Sequence, residues 1–539
     1  MCGIFFYMGE TIDGKMKKIL EKSFNKIRHR GPDVSKIKYY NSNVAIGFHR
    51  LSITDIKNGM QPFEDGRYVC VVNGEIYNHK SFSSLTLKTH SDCEVVLPLF
   101  LQNGKNINKT IAMLDGEYAF IIYDTLEAKV WFGVDQLRIR PLFIGIDEVE
   151  NEVIGIYLAS EQKSLTKCDI VFPLPSGCYG TIDNINKLDL VRYFSLSSIS
   201  INENIEMETA SNQIRELLID NVSKKLNPDR EYGFLLSGGL DSSLVCGIAA
   251  RLMSPMRIHT FTVGFDVNAS DVIAARKVAE FIDSIHTEYI FSFEDGIKIL
   301  REVIYTTESW DQTTIRASSI MLLLVRAIKK DHPEMGVIFS AELADELFMG
   351  YLEWQNSPNL DEARKHSIKR LSDVTYFDGL RSDRIVSSVG MELRLPFFSK
   401  SILQYVLSLP TQLISPVTND KIEKYLLRYA FANQNYIPDE ILWRTKNAFS
   451  DATSIIGKNS WKEYLKRYAE NEITDSRFNS RKILYPDNTP QTKEDFLYRE
   501  IFSDFNYTGS CIPYKWLSNW SGDITDSSAT ALPIFSENI

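Results

Sequence analysis

Residues 234–243 read Phe-Leu-Leu-Ser-Gly-Gly-Leu-Asp-Ser-Ser. The apolar first half is the pattern of a buried parallel strand. Ser237, Gly238, Gly239, Asp241, Ser242 and Ser243 then make a tight polar turn, and Leu244, Val245, Ile248, Ala249 and Ala250 follow at helical spacing. In an open parallel sheet such a turn lies at the carboxyl ends of the strands, where ligands bind. Gly238 and Gly239 allow positive φ and close backbone approach. The helix start offers unpaired N–H groups and the positive end of a dipole, and the three serines add hydroxyl donors. The turn is suited to a phosphate or pyrophosphate. The plainer alternative is a Gly-Ser turn leading into an ordinary helix.

No Gly-Lys-Ser/Thr follows at the spacing of a Walker A loop. An acid stands there instead. Asp241 beside phosphate oxygens would repel them unless Mg²⁺ lay between, so the turn points to a metal–nucleotide complex. The string resembles the SGGxDSS pyrophosphate loop of the ATP-pyrophosphatase family, whose members adenylylate a carboxylate or carbonyl and release pyrophosphate. Outward from it, an apolar strand over 259–265, a helix over 271–282 and a strand over 286–290 alternate as in a doubly wound α/β domain. Leu236 and Val263, at strand ends beside the loop, are placed to touch adenine.

A chain of 539 residues is too long for one core, and two domains are expected. Net charge is −10 with acids and bases interspersed, which argues against a nucleic-acid partner. No run approaches the roughly 20 apolar residues of a membrane span, and no signal-peptide plan opens the chain. The seven cysteines are scattered without a CxxC pair, so neither a zinc site nor a disulfide framework is indicated. A reducing, cytoplasmic setting is expected.

The chain opens Met1-Cys2-Gly3. Removal of Met1 would give Cys2 a free α-amine, whose pKa near ~8 suits a general base for the thiol beside it. On its own, Cys2 also reads as an incidental residue. Together with Arg28-His29-Arg30-Gly31-Pro32-Asp33, His49-Arg50-Leu51-Ser52-Ile53, Asn73-Gly74-Glu75-Ile76-Tyr77-Asn78 and Ser91-Asp92-Cys93-Glu94, it resembles the glutaminase domain of class II glutamine amidotransferases. That resemblance implies an αββα N-terminal-nucleophile sandwich with Cys2 as nucleophile. It implies that the Asn73 amide and the Gly74 N–H stabilise the oxyanion. Glutamine is expected on Arg50, Leu51, Ser52, Ile53, Thr54, Asn73, Gly74, Glu75 and Asp92, with Arg50 on its α-carboxylate and Asp92 and Glu75 on its α-ammonium. Loop 28–33 resembles the lid over bound glutamine. Asn73-Gly74 also reads as a type I′ hairpin turn after a strand over 68–72, and the two readings are compatible. Further strands are expected over 116–124, 130–135, 141–145 and 154–160, with a helix over 15–27. Val134 and Arg138 stand where this family usually has Arg and Gly.

Downstream, Trp310-Asp311-Gln312-Thr313-Thr314-Ile315-Arg316 is nearly the string of asparagine synthetases, which places Thr313 and Arg316 in aspartate handling. The alternative is a capped helix with a solvated Arg316. Ser340-Ala341-Glu342-Leu343-Ala344-Asp345-Glu346 resembles the family's Ser-Gly-Glu-Gly-Ser-Asp-Glu. Glu342 matches the acid that takes a proton from ammonia, Asp345 the second magnesium ligand after Asp241, and Ser340 and Ala341 join the ATP set. If the replaced glycines need positive φ, Ala341 and Leu343 are strained; if they only admit ATP, Leu343 reshapes the pocket. Met349 replaces another small residue. Glu392 and Arg394 read as a structural ion pair in a family-like segment that ends in Ser399 instead of Asp. Lys446, in Trp443-Arg444-Thr445-Lys446, matches the lysine that reaches the phosphates, and 485–502 resembles the synthetase tail.

The resemblance to glutamine-hydrolysing asparagine synthetases covers nearly the whole chain. It implies a glutaminase domain over 1–195, a linker over 196–209, an ATP-pyrophosphatase domain over 210–517 with added helices, and a polar, poorly ordered tail over 518–539. The implied reaction converts aspartate, Mg-ATP and glutamine into asparagine, AMP, pyrophosphate and glutamate through β-aspartyl-AMP. ATP is a substrate, Mg²⁺ the cofactor, and a homodimer is left open. Three alternatives remain at this point: amidation of another carboxylate, a glutaminase with an inactive synthetase half, and a non-catalytic nucleotide-binding protein. The retained Cys2, Asn73, Asp241, Glu342, Asp345 and Lys446 speak against the last.

Overall fold

The computed structural model describes residues 1–418, 422–445, 453–454 and 460–526. The first part of the chain alternates short apolar strands: β1 (Gly3–Gly9), β2 (Val34–Tyr40), β3 (Val44–Arg50), β4 (Phe63–Asp65), β5 (Tyr68–Ile76), β6 (Gly116–Asp124), β7 (Lys129–Val134), β8 (Phe143–Val149), β9 (Glu152–Ala159), β10 (Ile170–Pro173), β11 (Cys178–Asn184) and β12 (Lys187–Arg192). They form two antiparallel six-stranded sheets, ordered β10-β8-β9-β1-β3-β2 and β12-β11-β7-β6-β5-β4. Ile4, Phe6 and Met8 of β1 meet Val69, Val71 and Ile121 of the facing sheet in the central core. The opposite faces are covered by helix Gly14–Asn25, through Leu20 and Phe24, and by helices Val96–Gln102 and Ile107–Met113. This is the expected αββα sandwich.

The second part builds a five-stranded, wholly parallel sheet from β13 (Glu231–Leu235), β14 (His259–Gly264), β15 (Ile285–Ile290), β16 (Met335–Phe339) and β17 (Glu392–Arg394). The order is β15-β14-β13-β16-β17. Successive strands run outward from β13 in one direction and then resume on its other side. The order therefore reverses between β13 and β16, and the loops that leave those two strands flank the crevice where an open α/β sheet binds ligands. Helices surround the sheet, among them Leu240–Met253, Ser270–Phe281, Gln312–Asp331 and Asp378–Ser388. Among the described residues, no helix is long and apolar enough to cross a membrane.

Some local expectations change. Asn73-Gly74 is not a hairpin turn: β5 continues to Ile76, with Asn73 opposite Ala119 and Gly74 opposite Tyr118. Gly74 has φ +152, and a Cβ there would fall 2.0 Å from the Glu117 carbonyl oxygen. The glycine thus serves close strand approach, not reversal. In the phosphate turn only Gly238 takes positive φ (+72), because Gly239 is the extended N-cap of the next helix. Helix Met207–Lys225 begins three residues before the expected 210. Residues 518–526 pack against the body: Trp520 lies 4.9 Å from the His366 ring, and Asp526 pairs with Arg316 at 2.8 Å.

The two halves share a buried ionic interface. Arg30 pairs with Glu161 at 2.7 Å and with Asp383 at 2.8 Å. Arg384 holds Asp383 at 3.0 Å and Glu308 at 3.1 Å. Burial alone would push the Glu161 carboxyl up, but Lys163, His29 and Arg384 hold it well below its ordinary value. Glu392 and Arg394 do pair, at 2.9 Å, and Arg394 also reaches Glu75 of β5 at 2.9 Å. Arg138 takes positive φ (+62) and donates to Thr375 Oγ1 at 2.9 Å.

Candidate active sites

The first candidate site lies where β1 begins. The Leu51 N–H donates to Cys2 Sγ at 3.4 Å, and the Cys2 carbonyl accepts from Arg30 Nε at 3.0 Å. Burial pushes the Cys2 thiol above its ordinary value, so it needs a base to ionise near neutrality. Met1 is fully buried, and its amine donates to the Met391 carbonyl at 3.1 Å. Burial lowers that amine to about 5, so the Met1 amine is neutral near pH 7.

Asn73 is fully buried, and neither atom of its amide has a hydrogen-bond partner among the described residues. Buried amides are ordinarily satisfied, so one left open on β5 points to a ligand. Its neighbours are pinned. Asp92 accepts from the Ile76 N–H at 2.6 Å, and Cys93 Sγ donates to the Gly74 carbonyl at 3.1 Å. Burial raises both the Asp92 and the Glu75 carboxyls. Arg50 donates to the carbonyls of Ile56 at 3.1 Å, Asp55 at 2.5 Å and Thr54 at 3.4 Å, while no acidic side chain pairs with it among the described residues. Ser52 and Ile53 face the other half of the molecule: their carbonyls accept from Arg230 Nε at 2.8 Å and from the Asp229 N–H at 3.0 Å. The segment that carries Leu51–Thr54 is thus tied to the residues just before β13.

The second candidate site is the cleft at the switch point. Leu236, Ser237, Gly239, Asp241, Ser242, Val263, Ser340, Ala341, Glu342, Asp345 and Thr313 all line it. Gly238 and Ser243 do not: a Cβ on Gly238 would meet the Ala275 nitrogen at 2.4 Å, and Ser243 is buried beneath the turn. Ser237 and Ser242 share a hydrogen bond at 2.9 Å, which shapes the loop. Arg316 does not line the cleft either. It is neither solvated nor open, because Glu494 takes its fork at 2.7 and 2.8 Å and Asp526 a further nitrogen at 2.8 Å. Lys446 lies outside the described residues.

Leu343 takes φ +80, so its position needs the conformation a glycine supplies, while Ala341 does not. The Leu343 side chain packs in the core at 2% exposure and does not line the cleft. Glu342 accepts from Arg381 Nη2 at 3.0 Å, and burial raises its carboxyl. Burial also raises Glu346, to about 8, and Glu346 meets the Tyr351 hydroxyl at 2.6 Å.

Sequence reasoning missed Lys424, whose Nζ pairs with both Asp241 and Asp345, the latter at 2.6 Å. No motif in the sequence flagged it. Arg381 was visible in sequence without a role, and Arg444 donates to the Gly238 carbonyl at 3.1 Å. Asp241 and Asp345 lie 104 residues apart, in the first turns of helices Leu240–Met253 and Ala344–Leu347, and meet around one positive charge. This donor set fits a Mg²⁺ held by two carboxylates plus substrate phosphates. No group of three or more His, Cys, Asp or Glu suited to a metal occurs among the described residues.

Comparison with known proteins divides the chain the same way. Residues 1–204 match the glutamine amidotransferase domain family, and residues 213–373 and 353–505 match the asparagine synthase family. The chain is 38% identical over 567 aligned positions to asparagine synthetase [glutamine-hydrolyzing] of Rattus norvegicus, covering 99% of this chain and 98% of that protein. It is 37% identical to the Homo sapiens and Gallus gallus proteins of the same name, with the same coverage. With both halves matched in order along almost its whole length, the chain belongs to the family of glutamine-hydrolysing asparagine synthetases.

Proposed function

We propose that the protein makes asparagine from aspartate, with ATP as the energy source and glutamine as the nitrogen donor. The glutaminase unit spans 1–195, a linker 196–209 and the synthetase unit 210–517. The observation that carries the reading is the pair of unmatched features in one molecule: an open Asn73 amide near Cys2, and Asp241 and Asp345 converging beside the phosphate turn.

Removal of Met1 frees the Cys2 amine, which accepts the thiol proton. The Leu51 N–H steadies the thiolate. Attack on the glutamine carboxamide puts negative charge on its oxygen, which the Asn73 amide and Gly74 N–H stabilise; one such donor is worth ~2.7–4 kcal/mol of barrier. Arg50 takes the α-carboxylate of glutamine, Asp92 and Glu75 its α-ammonium, and Leu51–Thr54 form one wall. Collapse of the adduct breaks the C–N bond. The Cys2 ammonium returns its proton to the leaving nitrogen, so that ammonia departs and a γ-glutamyl thioester remains. Water then hydrolyses the thioester to glutamate and the free thiol, and the ammonia passes to the second unit.

There Ser237, Gly238, Gly239, Ser242 and Ser243 form the pyrophosphate turn, with Leu236, Val263, Ser340 and Ala341 around the nucleotide. Asp241 and Asp345 would hold Mg²⁺, which would supply charge neutralisation for the phosphates. Aspartate enters beside Thr313. Arg316 serves it directly only if Glu494 and Asp526 release the guanidinium, and otherwise braces the helix that carries Thr313. The aspartate carboxylate is adenylylated with loss of pyrophosphate, Lys446 countering the leaving charge. Glu342, its pKa raised by burial, takes a proton from attacking ammonia.

The test is pyrophosphate and asparagine formation from aspartate and Mg-ATP, with glutamine and with ammonium, in the parent protein and in Cys2→Ala. Asparagine from both donors, with the variant losing glutamine use alone, supports the proposal. Glutamate without pyrophosphate would overturn the synthetase half of it.

A further inference from the structure

Lys424 is a built-in cation between two acids. Its side chain is 1% exposed, and its Nζ pairs with Asp345 at 2.6 Å and with Asp241. The residue is held in the left-handed region (φ +57) at the start of helix Tyr425–Phe431. Gly350 leaves space for it: a Cβ there would fall 2.0 Å from Lys424 Cε and 2.3 Å from Asp345 Oδ1. Any side chain at 350 would push the lysine stem out of line with the acids. The second Asp241 oxygen is buried without a hydrogen-bond partner among the described residues.

These features form one device. The switch point brings two carboxylates together, and their like charges repel in a partly dry cleft. The tethered ammonium neutralises them and holds their geometry. A free divalent ion must displace that ammonium and leave it buried without a partner, which is costly. A metal that arrives with nucleotide also brings phosphate oxygens, which give the displaced ammonium a new charge-assisted partner. We propose that Lys424 is a positioning residue that keeps Asp241 and Asp345 poised in the nucleotide-free enzyme and bars free divalent metal, so that metal enters only together with nucleotide. The inference rests on the assignment of those two acids to Mg²⁺.

The test titrates the full-length protein with Mn²⁺, following free ion by electron paramagnetic resonance, with and without a non-hydrolysable ATP analogue. Parent protein is expected to bind Mn²⁺ weakly alone and tightly with the analogue. Without analogue, Lys424→Met is expected to bind Mn²⁺ about tenfold tighter or more, because the acid pair has lost its internal counter-charge. Mn²⁺ alone should also raise the melting temperature of the variant more than that of the parent. Lys424→Gln, whose amide still donates to one carboxylate, carries the same expectation where Lys424→Met is too unstable. Equal Mn²⁺ affinity in parent and variants without analogue, with normal binding in its presence, overturns the role of Lys424 alone. If Asp345→Asn leaves Mn²⁺ binding with analogue unchanged, the metal assignment fails, and the inference with it.

Discussion

Arg30 clasps Asp383 across the boundary between the two halves, Nη1 to Oδ2 at 2.8 Å and Nη2 to Oδ1 at 3.1 Å. Both side chains are almost fully buried. The same guanidinium donates from Nε to the Cys2 carbonyl. Asp383 lies on helix Asp378–Ser388, which also carries Arg381 to Glu342 in the cleft at the switch point. One helix therefore touches the supports of both sites. Asp383→Asn is expected to destabilise the protein by about 3–5 kcal/mol, because it leaves the Arg30 charge under-compensated. Glutamine-dependent synthesis should fall further than ammonium-dependent synthesis, since Arg30 also positions Cys2. Denaturant melts and paired rates with the two donors measure both effects. An equal fall with both donors would mean that Arg30 only holds the halves together.

Asn73→Ala separates stability from activity. The Asn73 amide has no partner to lose, so its removal should leave the melting temperature unchanged or slightly raised. Glutaminase turnover should fall about 10²–10³-fold, as expected for one lost oxyanion donor. Ammonium-dependent asparagine formation should persist. A fall in stability comparable to the fall in rate would make Asn73 a structural residue.

Asn73 also marks how far sequence pattern reaches. Asn-Gly is a strong turn signal, yet here it lies inside a nine-residue strand, because the pairing of β5 with β6 continues past it. Local preference lost to tertiary pairing. The strand–turn–helix over 231–253 was legible because Gly, Ser and Asp at fixed offsets encode its local geometry, and Asp241 and Asp345 do meet around Lys424. The engagement of Arg316 by Glu494 and Asp526 was not legible, since those partners lie 178 and 210 residues downstream and nothing local announces them. The same holds for Lys424, whose role depends on a contact across 183 residues.

His49 supplies a pH test. It is fully buried and stacked on Phe24 at 3.7 Å, and its ring meets the Phe24 carbonyl at 3.0 Å and Ser35 Oγ at 2.7 Å. Burial lowers its pKa to about 4, against about 6.5 unfolded. Between those values the unfolded chain binds the extra proton. Stability from this group is therefore complete above about pH 6.5 and is lost as pH falls through about 4. His49→Gln, which cannot protonate, should flatten the part of the stability–pH curve between those limits while lowering stability at pH 7. Melts of parent and variant from pH 4 to 7 give the comparison, and parallel curves would contradict it.

Leu343 tests backbone strain at a position whose left-handed backbone favours glycine. Its φ of +80 costs a non-glycine residue about 1–2 kcal/mol, yet its side chain is buried in the core. Leu343→Ala removes the packing and keeps the strain, so it should cost about 2–5 kcal/mol. Leu343→Gly removes the packing and the strain together. Glycine should then be more stable than alanine here by about 1 kcal/mol, the reverse of their order in ordinary helical backbone. Because the side chain points away from the cleft, ATP affinity should change little in either variant that stays folded. Equilibrium unfolding of the two variants decides the order, and alanine above glycine would show that the left-handed backbone is not retained. A loss of nucleotide binding without a loss of stability would instead place Leu343 at the cleft wall.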